Sequence, residues 1–243
     1  MRTIWHFGLM GACVACLVAG RASGLEDAPA RDSAPGSQEM KKDDAAARLD
    51  EVVARVQAAY RNLETFSADF SQTVTLSGMA RTRSDKGHVE LKRGGKMRWD
   101  FQNPEVKQFI SDGRTLWFYF PEEKQVMRMP LEQGANQVAL DFMFGLGDVR
   151  KDFQVELGNA EVYRTPGVAA LHLAPRKSMG TVKRLTILVG TDDGMVKEAI
   201  VEDQMGSVTR VVFTNVVINQ PIDDARFVFE VPEGVHEAGP GGN

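Results

Sequence analysis

Cysteine is nearly missing from this chain: Cys13 and Cys16 are its only two in 243 residues. Both lie in the opening segment MRTIWHFGLMGACVACLVAGRASG, so the remainder has no thiol for a disulfide, a thiolate metal site or a nucleophile. Histidine is scarce as well. Beyond His6, the chain has His88, His172 and His236, far apart and without His-Glu-x-x-His spacing, which argues against a metal centre. There is no Gly-x-Ser-x-Gly elbow, no glycine loop cradling phosphate ahead of a helix, and no dinucleotide fingerprint. The acidic pairs Glu122-Glu123, Asp192-Asp193 and Asp223-Asp224 fall in turn patterns, where water solvates both carboxylates alike and no acid-base division of labour arises. These absences point away from an enzyme and from any cofactor or metal. A basic excess is missing too: 29 Lys and Arg stand against 33 Asp and Glu, a net charge of −4. A nucleic-acid surface normally shows the opposite balance.

The longest apolar run, Ile4 to Ala19, is broken by His6 and small residues and falls short of the roughly 20 residues that span a bilayer. With Arg2 before it and Ala22 and Gly24 after it, residues 1–24 read as a secretory signal peptide, cleaved so that the mature chain begins near Leu25. The competing readings are an uncleaved anchor, or a lipid-attachment site at Cys13 or Cys16, whose surroundings loosely resemble a lipobox. Residues 25–44 are Ala, Pro, Asp, Ser, Gly and Lys with almost no large apolar side chain, and are expected to form a flexible tether. Residues 45–235 hold the folded domain, and 236–243 are expected to be a disordered tail.

What is present is a change of period. Leu49, Val52, Val53, Val56, Ala59, Tyr60 and Leu63 recur every three or four residues, the stripe of an amphipathic helix over 45–63. Phe66, Ala68, Phe70, Gln72, Val74 and Leu76 then alternate with polar residues, as in a strand with one buried face. Further strands are expected near 87–93, 96–101, 106–111, 114–120, 124–129, 152–157, 168–174, 182–190, 195–203, 206–215 and 226–231. Gly94-Gly95, Asp112-Gly113 and Asp193-Gly194 mark tight hairpins between them. So many short strands without crossover helices give a mainly β (α+β) fold, a curled antiparallel sheet that is open or nearly closed into a barrel.

Two stretches stand out. KRGGKMRWDF (92–101) and SDGRTLWFYF (111–120) put Trp99, Phe101, Trp117 and Tyr119 on neighbouring strands; each pair shares one face, and Phe118 and Phe120 offer the opposite one. Which pair lines a hollow is left open by alternation alone. LEQGANQVALDFMFGLG (131–147) is apolar nearly all round; it is either a short core helix or a movable cover whose Met and Phe side chains adapt to a soft ligand.

The blocks LETFSADFSQTV (63–74), GHVELKRGGKMRWDF (87–101), VKQFISDGRTLWFYFPEEKQVMRMPL (106–131) and FTNVVINQPIDDARFVFEVPEGV (213–235) together resemble the outer-membrane lipoprotein carrier family LolA, over most of 45–235. The resemblance is sharp in the middle blocks and rests only on strand pattern between 150 and 205. It implies an incomplete antiparallel β-barrel of about 11 strands, with an N-terminal helix and a short helical lid over an apolar concavity. It also implies a periplasmic chaperone, taken to be monomeric, that shields lipoprotein acyl chains from the inner to the outer membrane. The implied partners are acylated lipoproteins, an inner-membrane lipoprotein-releasing ABC transporter complex and an outer-membrane receptor lipoprotein. In the family an arginine latches the lid, and Arg93 occupies that position. The family usually has proline next, where this chain has Gly94. Candidate lining residues are Leu49, Val53, Phe70, Met97, Trp99, Leu116, Phe142, Met143 and Phe144. A receptor lipoprotein or carrier of another lipid on the same fold, and a lipid-sensing signalling regulator, are the alternatives.

Overall fold

The computed structural model describes residues 35–78, 82–131, 149–176 and 182–238. The expected signal peptide with Cys13 and Cys16, the cleavage near Leu25, and the apolar segment with Phe142, Met143 and Phe144 lie outside them. Among the described residues no helix is long and apolar enough to cross a membrane.

A long helix, α1 (Pro35–Arg61), precedes the strands. It starts ten residues ahead of the helix expected over 45–63 and so corrects the tether expected over 25–44 where the two overlap. Periodicity could not reveal this extension, because PGSQEMKKDD has no apolar face; proline at a first helical position, with Gln, Glu, Met and Lys following Gly36 and Ser37, is nonetheless compatible with helix. From Ala46 onward the chain forms one compact unit. There Val53, Val56, Tyr60 and Leu63 are buried at the expected spacing.

The strands are β1 (Thr65–Thr75), β2 (Thr82–Lys92), β3 (Lys96–Asn103), β4 (Lys107–Asp112), β5 (Thr115–Phe120), β6 (Gln125–Pro130), β7 (Phe153–Gly158), β8 (Val168–Pro175), β9 (Val182–Gly190), β10 (Val196–Asp203), β11 (Val208–Ile218) and β12 (His236–Ala238). A single turn of helix, α2 (Val149–Asp152), leads into β7. Among the described residues all twelve strands join one open sheet in the order β12-β6-β5-β4-β3-β2-β1-β11-β10-β9-β8-β7. Every pairing is antiparallel except that of β12 with β6. β1 and β11 meet at the centre, so the first and last long strands zip the two meanders together. The hairpins fall where glycine permits left-handed backbone: φ is +93° at Gly94, +77° at Gly95 and +97° at Gly113.

One face of this sheet packs on α1. Phe66, Ala68 and Phe70 of β1, Val89 and Leu91 of β2, Met97 and Phe101 of β3, and Leu171, Leu173, Ile187, Val189 and Phe213 of the other meander are buried there with the helix stripe. The opposite, outer face is crossed by the chain between Asn219 and Val235. This corrects the strand expected over 226–231. Asp223 caps a 3-10 turn, Asp224–Phe227, by accepting from the Ala225 amide at 3.0 Å, and the alternation of Phe227 and Phe229 turns side chains onto the sheet without strand pairing. The tail expected over 236–243 is corrected at its start, because His236–Ala238 pairs beside Gln125–Met127 as β12.

Candidate functional site

Register decides which aromatics share a face. Val89 stands opposite Trp99, Trp99 opposite Phe109, Phe109 opposite Phe118 and Phe118 opposite Met127. A second row runs Leu91, Met97, Ser111, Leu116, Met129. Both rows lie on the face that α1 covers. Ring contacts tie the first row to β1 and β11: Phe70 lies 4.8 Å from Trp99 and 4.9 Å from Phe101, and Trp99 lies 6.2 Å from Phe213, centroid to centroid. Phe109 continues the chain, 5.1 Å from Phe101 and 4.9 Å from Phe118. These are edge-on or tilted arrangements, which the ring quadrupole favours.

Trp117 and Tyr119 point the other way. Phe229 of the outer strap packs on them at 6.1 and 5.2 Å, over the fully buried Ile110. The strap is tied down by ion pairs: Arg226 with Glu90 at 2.7 Å, and Asp224 with Lys92 at 2.7 Å and Lys96 at 2.9 Å. The facing that alternation left open is thereby assigned. Trp99 and Phe101 face the helix side, together with Phe118 and Phe120, and Trp117 and Tyr119 serve the outer face.

Helix α1 does not cover its face evenly. Asp50 pairs with Arg150 of α2, Arg55 donates to the Thr191 carbonyl, and the Tyr60 hydroxyl accepts from the Val196 amide at 3.0 Å, all contacts toward the β7–β10 meander. Burial pushes the Tyr60 phenol well above its ordinary pKa, so it stays neutral. On the β3–β6 meander Trp99, Phe109, Phe118, Phe120, Met127 and Met129 are only half-buried.

Of the candidate lining residues, Val53, Phe70, Met97 and Leu116 are buried core side chains, while Leu49 and Trp99 are half-buried at its margin. All six belong to one apolar cluster. Phe109 and Phe118 continue the row of Trp99 and are half-buried like it, though they stand outside the candidate lining set. Counting parity back from the Gly94-Gly95 and Asp112-Gly113 turns is the signal that finds them.

Arg93 ends β2 next to the corner where α1 turns into β1. Its guanidinium donates to the Leu63 carbonyl at 2.6 Å, the Arg61 carbonyl at 3.0 Å and Glu64 Oε1 at 2.9 Å. Asn219 braces the same corner, donating to the Asn62 carbonyl at 3.2 Å and accepting from the Glu64 amide at 2.8 Å. Together they satisfy carbonyls that the helix end leaves without intrahelical donors. The departure at Gly94 has a geometric reason: its φ of +93° is closed to proline, whose ring fixes φ near −65°. Among the described residues no group of three or more His, Cys, Asp or Glu is placed to hold a metal.

The family described as outer membrane lipoprotein carrier protein LolA matches residues 61–230. An outer-membrane lipoprotein carrier protein of Chromobacterium violaceum is 30% identical over 183 residues, covering 75% of this chain and 85% of the relative. One from Pseudomonas aeruginosa is 30% identical over 203 residues, covering 83% and 92%. Among solved structures, a LolA superfamily protein from Nitrosomonas europaea aligns with 74% of this chain and 97% of its own at 14% identity, with a TM-score of 0.42. The matched span begins at the corner that Arg93 braces, runs through both meanders and ends in the outer strap, and on it this chain belongs to the LolA family of outer membrane lipoprotein carrier proteins.

Proposed function

We propose that the protein is a periplasmic carrier that takes lipoprotein acyl chains onto the β3–β6 part of its helix-covered face and passes lipoproteins from the inner to the outer membrane. The observation behind this reading is the half-buried row Trp99, Phe109, Phe118, Met127, which adjoins a dry core yet is not sealed by α1. An acyl chain of about sixteen carbons gains on the order of 12 kcal/mol from leaving water, at about 0.8 kcal/mol per CH₂. A soluble carrier has to offer an apolar surface of matching quality, and thioether side chains such as Met127 and Met129 adapt to a chain of variable shape. Phe142, Met143 and Phe144 act in this reading as the movable cover, and Arg93 as the latch that holds the helix corner against which the cover closes. Each hydrogen bond contributes only about 0.5–1.5 kcal/mol net, so cargo burial outweighs the latch and shifts the open and closed populations. A lipoprotein-releasing ABC transporter of the inner membrane is the donor, an outer-membrane receptor lipoprotein the acceptor, and the carrier works as a monomer. The family is one of carriers rather than enzymes.

Native mass spectrometry of the chain isolated from its own periplasm tests this directly. The wild type is expected to carry an acylated peptide, and Phe118→Asp, which places a charge in the row, is expected to come out empty while remaining folded. A wild type that never holds an acylated ligand, or a Phe118→Asp variant that holds it as well, would falsify the reading.

A further inference from the structure

We propose that Ser67, His88 and Asp69 form an acyl-transfer site on the outer face of the sheet, with Ser67 the nucleophile toward small, water-soluble esters that have good leaving groups. The inference is independent of the carrier reading, because it rests on the opposite face from the aromatic row.

Phe66, Ala68 and Phe70 bury themselves against the helix side, so Ser67 and Asp69 project outward. The β1–β2 register sets His88 directly opposite Asp69. The imidazole then bridges both β1 side chains: Nδ1 lies 2.8 Å from Asp69 Oδ1, and Nε2 lies 2.9 Å from Ser67 Oγ. Asn215 of β11 fixes the carboxylate from behind, its Nδ2 donating to Asp69 Oδ2 at 2.8 Å. Asn215 reaches this position at a register shift between β1 and β11, where its own φ is +52°.

Chemistry assigns the protons. A carboxylate only accepts, so the neutral imidazole carries its hydrogen on Nδ1 and turns the lone pair of Nε2 toward Ser67, whose hydroxyl donates. The Asn215 amide, and after it His88, holds the Asp69 carboxyl below its ordinary pKa, which keeps it an acceptor. Nucleophile, base and orienting carboxylate thus stand in the connectivity of a serine hydrolase, which is recognised by geometry and not by sequence order. The base and its carboxylate are open to solvent, the His88 side chain 34% exposed and that of Asp69 51%, and Ser67 is half-buried beside them. Strand pairing does not need it, since the ladders on either side of β1 run well beyond these residues. A second histidine on the sheet gives a contrast. His172 meets Thr186 Oγ1 at 2.9 Å, but through Nδ1, the nitrogen that in His88 faces the carboxylate.

In the first step Ser67 Oγ bonds to the ester carbonyl carbon while His88 Nε2 takes its proton. Collapse breaks the bond to the leaving oxygen, which departs with the proton from His88. Water, deprotonated by His88, then attacks the acyl-Ser67 ester; the acid leaves and the serine hydroxyl is restored. The net reaction is ester plus water to acid plus alcohol. The β1 backbone is paired with β2 throughout and with β11 on both sides of the register shift between Ser67 and Asp69, so the site is expected to act on activated esters, which need little oxyanion stabilisation.

The test uses the full chain with diisopropyl fluorophosphate and, separately, p-nitrophenyl acetate. Mass spectrometry is expected to find the phosphoryl adduct on Ser67 and none on Thr186. Ser67→Ala abolishes the adduct. His88→Gln slows it at least about 100-fold, the ordinary contribution of a general base, and Asp69→Asn slows it by at least about tenfold by the same reasoning. Circular dichroism identifies any variant that has lost its fold. Folded wild type that leaves Ser67 unmodified overturns the proposal without recourse to variants, as does a folded His88→Gln or Asp69→Asn chain that reacts as fast as wild type.

Discussion

The guanidinium of Arg93 donates three hydrogen bonds, two of them to carbonyls of the corner between α1 and β1. Lysine, a point charge without the planar fork, cannot reproduce that geometry. Arg93→Leu is expected to lower stability by about 1–3 kcal/mol, the range for hydrogen bonds to a charged group, read as a lower urea midpoint with unchanged slope. Arg93→Lys should recover less than half of the loss. In transport, the carrier reading has Arg93→Leu accumulate with cargo bound and fail to hand it over, and normal release by that variant counts against a latch.

Asp224 belongs to the same scale. Hydrogen bonds from Lys92 and then Lys96 hold its carboxyl down to about 2, against an ordinary value of 3.8. A depressed carboxylate pKa stabilises the fold above the unfolded value and ceases to as pH falls through the folded one. Wild type is therefore expected to exceed Asp224→Asn in stability at neutral pH, with the difference shrinking between 3.8 and about 2 and vanishing below. Denaturation of both chains across that range checks it, and a difference that persists in stronger acid would assign the effect to something other than the carboxylate.

At the scale of elements, the outer strap is where sequence and structure part. Alternation around Phe227 and Phe229 reads as a strand, yet Pro221 and Pro232 bracket the segment, and Phe229 covers Trp117 and Tyr119 without a ladder. Alternation reports which side chains face an apolar surface; it does not report whether the backbone has a neighbour. His236–Ala238 carries no such apolar pattern and still pairs, because the strap delivers it to the edge of β6, where the His236 amide donates to the Lys124 carbonyl at 2.8 Å and Glu237 pairs with Arg128. An uncovered edge strand is a template for another chain. Deleting residues 236–243 is expected to speed hydrogen exchange at Gln125–Met127 and to produce concentration-dependent self-association in light scattering. A truncated chain that stays monomeric with protected β6 amides would show that β12 is not the edge guard.

Across the whole molecule, two apolar surfaces share one sheet but differ in how completely they are closed. Phe66 sits at the fully buried centre of the helix-side core, whereas Phe118 lies in the half-buried row of the β3–β6 meander. Stability and ligand binding should therefore come apart on mutation. Phe66→Ala is expected to cost about 3–5 kcal/mol, the range for an aromatic truncated in a closed core. Phe118→Ala should cost less, about 1–2 kcal/mol, since part of its area already meets solvent, and should weaken binding of a fluorescent fatty-acyl probe severalfold. Equal stability losses, or probe binding that follows Phe66 instead of Phe118, would locate the acyl chain elsewhere.

The sequence by itself determined most of the elements: a three-to-four stripe makes the packed part of α1, alternation makes β1 to β11, and Gly94-Gly95 and Gly113, where glycine readily takes left-handed backbone, place two of the hairpins. Those are local consequences of side-chain spacing and φ, so they can be read without a fold. Only the tertiary structure decided which face of each strand looks inward, because alternation divides residues into two sets and attaches no label to either. The label comes from what covers them, α1 against Trp99 and the strap against Trp117, and both contacts join segments distant in the chain. Ser67, Asp69 and His88 were likewise invisible as a group, since only the registry of β1 with β2 and β11 brings their side chains within hydrogen-bond reach.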